Sequence, residues 1–250
     1  MTFATQLDHV TKQFGTGRAA VVALRDVSLR VPEGAMVGVA GPSGSGKTTL
    51  LHLVGGLEAP TAGRIEAAGL DLTRRGERAL SRYRRQRVGF IFQQFNLLGD
   101  LTVRENIELP LVLNGLPDRA PRIDGLLKRL GLSSRAGAFP RDLSAGEQQR
   151  VAIARGVAHR PTLLLADEPT ANLDTANAHQ VIALLSEINR EERVTILLTT
   201  HDPGVIERIP SCVFLHDGAL ERIEGLGTRA AIPGSRQCLR RPIAGVEDPA

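Results

Sequence analysis

Hydrophobic and polar positions are arranged in three ways along this chain, and each predicts a different kind of element. Residues 23–31 end in alternation, with Val27, Leu29 and Val31 set against Ser28 and Arg30, and Pro32-Glu33-Gly34 turns the chain away. That is the period-two signature of a half-buried strand stopped by a turn. The segment holding Val10 and Phe14 is expected to pair with it, and residues 63–66 and 69–71 to add a short hairpin to the same layer. Four runs are apolar with little alternation: 36–40 (MVGVA), 88–92 (VGFIF), 162–166 (TLLLA) and 194–200 (VTILLTT). Strands of this kind are buried on both faces, as in a parallel sheet covered by helices.

Helical spacing fills the intervals. Ile123, Leu126, Leu127 and Leu130 fall at i, i+3, i+4 and i+7, as do Val181, Leu184, Leu185 and Ile188 within a helix expected over 175–191. Thr102 with Glu105, and Ser144 with Glu147, are capping boxes, so helices start there. The second runs through Val151, Ala154 and Val157 and must stop before Pro161. Asp202-Pro203 opens a further helix, and 212–215 with 219–223 form a closing hairpin about His216-Asp217-Gly218. The expected fold class is α/β, with a mainly parallel sheet, an N-terminal antiparallel β layer and a helical insertion at about 94–156. From residue 225 the periodicity stops and Gly, Pro and Arg dominate, which predicts a basic, mobile tail over 225–250 with no catalytic part.

The candidate chemistry begins at Gly41-Pro42-Ser43-Gly44-Ser45-Gly46-Lys47-Thr48-Thr49, which fits G-x-x-x-x-G-K-[ST], the phosphate-binding loop of the P-loop NTPases. A buried strand precedes it and a helix, expected over 48–57, follows. Glycines let backbone N–H groups curl towards a phosphate, and the helix start adds partial positive charge there. Lys47 is placed to reach the β- and γ-phosphates of a nucleotide, and the Thr48 hydroxyl to hold Mg²⁺. Asp167 and Glu168 end the apolar strand 162–166, on the sheet edge where ligands of parallel sheets sit. Asp167 can approach the Mg²⁺, and Glu168 can orient or deprotonate a water for attack on the γ-phosphate. At Leu143-Ser144-Ala145-Gly146-Glu147-Gln148-Gln149-Arg150, a hydroxyl and helix-start N–H groups form a second anion site, which makes sense if it serves another copy of the chain.

Composition narrows the partners. The chain has 250 residues, net charge +4, no Trp, one Tyr and seven Phe, so aromatic stacking on nucleic acid has little to work with. Arg74, Arg75, Arg78, Arg82, Arg84, Arg85 and Arg87 make a basic stretch with a single aromatic, Tyr83, among them, so a solvated helix explains it better than a nucleic-acid patch. Cys212 and Cys238 carry neither metal spacing nor a disulfide framework. The first fifteen residues show no signal-peptide pattern, and no apolar run is long enough to span a bilayer. Work at a membrane would need another chain.

Together these motifs resemble the ATP-binding cassette (ABC) family over roughly residues 7–224, which makes 1–224 the expected ATPase domain. Residues 41–49 are similar to its Walker A, 163–168 to its Walker B with the hydrolytic glutamate, and 143–150 to its LSGGQ signature. Gln93 matches the Q-loop glutamine, a further Mg²⁺ contact; residues 171–174, ending in Asp174, match the D-loop; His201 matches the switch histidine; Phe14 matches the aromatic that stacks on adenine. Ala145 departs from the usual glycine. The resemblance implies an ATPase using ATP and Mg²⁺. It would work as a homodimer on a separate membrane-spanning permease, at the cytoplasmic face of the cell membrane, with no nucleic acid partner. Ser144 and Gly146 of one copy would close on the ATP of the other. Residues 88–115 and 143–156 look like the lipoprotein-release and macrolide-export branch, implying export of a lipoprotein, peptide or drug-like substrate. A cell-division relative in that branch leaves a signalling role open, and a soluble cassette acting on ribosomes or DNA is the more remote alternative.

Overall fold

A computed structural model describes residues 2–226; the expected tail, from residue 227 on, and Cys238 lie outside the described residues. The chain runs β1 (Phe3–Phe14), β2 (Val21–Pro32), β3 (Met36–Ala40), α1 (Lys47–Val54), β4 (Ala62–Ala67), β5 (Leu70–Asp71), α2 (Glu77–Arg87) and β6 (Val88–Ile91). It continues through α3 (Val103–Leu113), α4 (Arg119–Arg129), α5 (Ala145–Val157), β7 (Leu163–Ala166), α6 (Thr175–Glu192), β8 (Thr195–Thr200), α7 (Pro203–Ile206), β9 (Ser211–His216) and β10 (Ala219–Glu224).

Two sheets result. The alternating N-terminal segments form an antiparallel sheet in the order β2-β1-β4-β5, and the continuous apolar runs form a second in the order β10-β9-β3-β8-β7-β6. Within the second sheet β9, β3, β8, β7 and β6 are mutually parallel and only β10 is antiparallel. The apolar runs lack alternation because both faces are covered. Leu163, Leu165 and Leu197 join a core shared with Leu7, Val10, Leu50 and Ile65, towards the antiparallel layer. Leu164, Ala166, Ile196 and Leu198 point the other way, into a core with Val151, Val181, Leu185 and Ile107. That second core runs without a break into Ile123, Leu126 and Leu127 of the helical insertion. Helix α5 packs on both α3 and β6, so it fastens the insertion to the sheet.

Most other bounds move by one or two residues from those the sequence predicts, and three of the differences bear on the site or its neighbours. Helix α1 ends at Val54 rather than Leu57, because Gly56 turns left-handed (φ 65) just beyond it. Helix α2 starts at Glu77, so Arg74 and Arg75 precede it. Its arginines are solvated as expected, except that Arg84 is half-buried, donating to Gly56 O; Tyr83 is the anchor, its hydroxyl donating to Val54 O at 2.8 Å. Strand β6 stops at Ile91. Both capping boxes are formed: Thr102 and Ser144 accept from the N–H groups of Glu105 and Glu147, whose carboxylates bond back.

Candidate nucleotide-binding site

Parallel pairing puts the carboxyl ends of β3, β8, β7 and β6 on one edge of the sheet. The nominated residues follow those ends: the 41–49 loop after Ala40, His201 after Thr200, Asp167 and Glu168 after Ala166, and Gln93 just after Ile91. Local sequence shapes the loop. A Cβ on Gly41 would stand 2.2 Å from Leu215 O, and one on Gly46 (φ 98) 2.4 Å from Ala23 O, so glycine is required at both. Lys47 is buried, and its Nζ donates to Gly41 O and Pro42 O, both at 2.9 Å, with Glu168 Oε1 at 3.9 Å. The Ser45 hydroxyl is buried without a partner. An ammonium held mainly by loop carbonyls, beside an orphaned hydroxyl at a helix start, suits a polyphosphate.

The loop meets the carboxylates through two threonines. Thr48 Oγ1 donates to Asp167 Oδ1 at 3.1 Å. Thr199 Oγ1 donates to the same oxygen at 2.7 Å and accepts from Glu168 N at 2.8 Å. Glu168 sits in the left-handed region (φ 43), and its Oε1 lies 3.1 Å from His201 Nδ1. An ionised carboxylate only accepts, so this contact is a hydrogen bond in the tautomer that carries its proton on Nδ1. Thr48 and Asp167 are hard oxygen donors of the kind Mg²⁺ takes, with water and phosphate completing its shell. No cluster of three or more His, Cys, Asp or Glu suited to holding a metal by itself occurs among the described residues.

Thr199 escaped the sequence reading. Its signal was there: two threonines end an otherwise apolar buried strand, and buried hydroxyls need partners. The remaining nominated residues do not line the loop's cleft. Gln93 is exposed, and its backbone oxygen accepts from Asn172 Nδ2 at 2.8 Å. Phe14 ends β1 and is 40% exposed, Lys12 Nζ lying 4.7 Å from its ring centre. The Ser144 backbone N–H and hydroxyl donate to Glu147 Oε2 at 2.8 and 2.9 Å, and these bonds, the backbone one foremost, hold the Glu147 carboxyl below its usual range. Gly146 lies against Asn177 of α6. Asp174 caps α6 by accepting from Asn177 N at 2.9 Å, which likewise lowers its pKa. The cleft between Ala23, residues 43–49 and Glu168 measures about 230 Å³, short of the roughly 300–1,000 Å³ of complete ligand pockets.

A glycine-rich loop, a buried lysine and two carboxylates on one edge of a parallel sheet define a P-loop nucleotide-binding protein. The ABC transporter family profile matches residues 24–171. The chain is 42% identical over 221 residues to the ABC transporter ATP-binding protein YtrE of Bacillus subtilis, covering 86% of this chain and 96% of that one. It is 48% identical over 205 residues to the methionine import ATP-binding protein MetN of Sodalis glossinidius, covering 81% of this chain but 60% of the relative, so it spans about three-fifths of that protein. Among solved structures it is similar to the ATP-binding cassette MJ0796, dimeric in a post-hydrolysis state with ADP and Pi, at TM-score 0.81 and 38% identity, covering 88% of this chain and 97% of that one. The chain belongs to the ABC transporter family, as an ATP-binding subunit.

Proposed function

We propose that this chain hydrolyses ATP and that two copies close on two ATP–Mg²⁺ to drive a separate membrane permease from its cytoplasmic face. The observation that carries the reading is the hydrogen-bonded chain Thr48–Asp167–Thr199–Glu168–His201 beside the buried Lys47. Bound Mg²⁺ would neutralise charge on the phosphates between Thr48 and Asp167, with Gln93 reaching in from the adjoining loop. Lys47 and the loop N–H groups are set to stabilise charge on the transferring phosphoryl group. Glu168, held at Oε1 by His201, is placed to take the proton of the attacking water. His201, beside Glu168, would hold the γ-phosphate. The small cleft supports a pocket completed by Ser144 and Gly146 of a second copy, and the dimeric state of MJ0796 supports the same arrangement. Phe14 would stack on the adenine, and Asp174 would lie near the line between the copies.

No helix among the described residues is long and apolar enough to cross a membrane, and the permease reading rests on family membership. The branch resemblance favours export of a lipoprotein, peptide or drug-like cargo. The methionine-import names of several relatives oppose it, and the membrane protein that co-purifies with this chain decides the direction. The test of hydrolysis is Glu168→Gln. It is expected to bind ATP, to lose turnover by at least about a hundredfold, and to accumulate as a dimer on gel filtration. Turnover at the parent rate would remove Glu168 from the role of base.

A further inference from the structure

The loop between β6 and α3 carries Gln93, and its backbone is held from three directions. Asn172, just beyond Glu168, donates to Gln93 O at 2.8 Å. Arg155, in the last turn of α5, donates through Nη1 to Asn96 O at 2.6 Å and through Nη2 to Phe95 O at 2.8 Å. Asn106 of α3, fully buried, accepts from Leu98 N at 2.9 Å and donates to Leu98, Leu101 and Thr102 carbonyls at 3.0–3.1 Å. Phe95 and Asn96 both have positive φ (56 and 48). Phenylalanine rarely adopts that region, so the loop needs outside support to keep its shape. Burial weighs against the Arg155 charge, and the two carbonyls are what compensate it.

The other end of α5 is Ser144, where the second copy's nucleotide would be gripped. Thirteen helical residues make a rod about 20 Å long. Arg155 therefore stands at one end of a stiff element and Ser144 at the other. Beside the Arg155 clamp lies a mostly apolar cleft of about 610 Å³, lined in part by Phe92, Asn96, Leu109, Pro110, Leu113 and Arg155. Asn96 belongs both to the clamped loop and to that cleft.

We propose that Arg155 is a positioning residue through which engagement of the Ser144 end of α5 is passed to the Gln93 loop and to the wall of the adjoining cleft. This deepens the two-copy reading and rests on it. A displacement of α5 would otherwise reach residues 94–98 only through yielding side-chain packing. The paired guanidinium bonds make it a direct pull on two successive peptide groups.

The test uses the full chain carrying Glu168→Gln, with Mg-ATP as the probe and amide hydrogen exchange as the readout. In that parent, ATP should produce a dimer and slow exchange at both 143–149 and 94–98. With Arg155→Met added, the dimer and the slowing at 143–149 should remain. Exchange at 94–98 should stay at least roughly tenfold faster than in the parent. Arg155→Lys, which keeps the charge and can reach one carbonyl, should fall between the two. If ATP slows 94–98 in Arg155→Met as it does in the parent, the proposal is overturned. Should Arg155→Met fail to fold, Arg155→Lys decides: a loss confined to 94–98 supports the link, and parent-like exchange there overturns it. A parent that neither dimerises nor slows at 143–149 fails differently, removing the two-copy reading first and this inference with it.

Discussion

Thr199→Val isolates the hydroxyl that ties the Asp167 carboxylate to the Glu168 backbone. Valine keeps the β-branched shape and volume that strand β8 accommodates at a fully buried position. What it removes is one bond donated to Asp167 Oδ1 and one accepted from Glu168 N. The first is charge-assisted, worth about 1.5–3 kcal/mol, and the second leaves an N–H unpaired at about 1–3 kcal/mol. These do not add cleanly, because the Glu168 peptide can swing towards water. A loss of about 3 kcal/mol is a reasonable centre. Glu168 has a left-handed backbone that local sequence does not favour, so releasing its N–H lets the carboxylate leave the line set by Lys47 and His201. If about two-thirds of the loss falls on the transition state, kcat drops roughly thirtyfold, at 1.36 kcal/mol per tenfold. The remaining ~1 kcal/mol would lower Tm by about 2–4 °C. Steady-state ATP turnover and a thermal melt on the same preparation check both figures, with Thr199→Ser as the control that restores the hydroxyl. Parent kcat in Thr199→Val, or a Thr199→Ser variant as slow as Thr199→Val, would refute the reasoning.

Other consequences follow from single contacts. Ser144→Arg should leave ATP binding to the monomer within about threefold of the parent while abolishing the ATP-dependent dimer of the Glu168→Gln background, by ATP titration and gel filtration. Gly46→Ala puts a methyl 2.4 Å from Ala23 O, so nucleotide binding should fall at least roughly a hundredfold in a direct binding assay. Asn106→Leu removes the donor and acceptor that hold residues 98–102 to α3; a cost of about 3 kcal/mol should lower Tm by roughly 6–12 °C. Burial holds the His159 imidazole below its ordinary 6.5, opposed by the Val88 backbone and helped by the Arg122 charge. Below 6.5 the unfolded chain therefore binds the proton first, and stability should fall as pH drops through that value towards the folded pKa. His159→Gln should flatten that slope in denaturant melts at a series of pH values.

Much of this molecule was legible before any contact was known. The phosphate loop, both capping boxes and the apolar strands depend on neighbours within a few residues, and backbone sterics or i, i+3 geometry settle them locally. Even the class of sheet was readable, because strands buried on both faces cannot alternate. At the end of α1 a long-range contact adds to the local turn. The apolar run to Leu57 suggested a longer helix, yet Gly55 is packed so close to the Phe90 ring that a Cβ there would come within 2.2 Å, and Gly56 turns the chain away.

The amino-acid order alone thus marked the candidates for meeting phosphate, Mg²⁺ and water, since Lys47 and Thr48 follow the loop after β3 and Asp167 and Glu168 together follow β7. Only the tertiary structure decided what holds them there. Thr199 reaches Asp167 across 32 residues because β7 and β8 pair in parallel at one register. Arg155 reaches Phe95 across 60 because α5 packs on β6. Side-chain partners so far apart in the chain leave no periodic trace in it, because sheet pairing and core packing, not local spacing, bring them together.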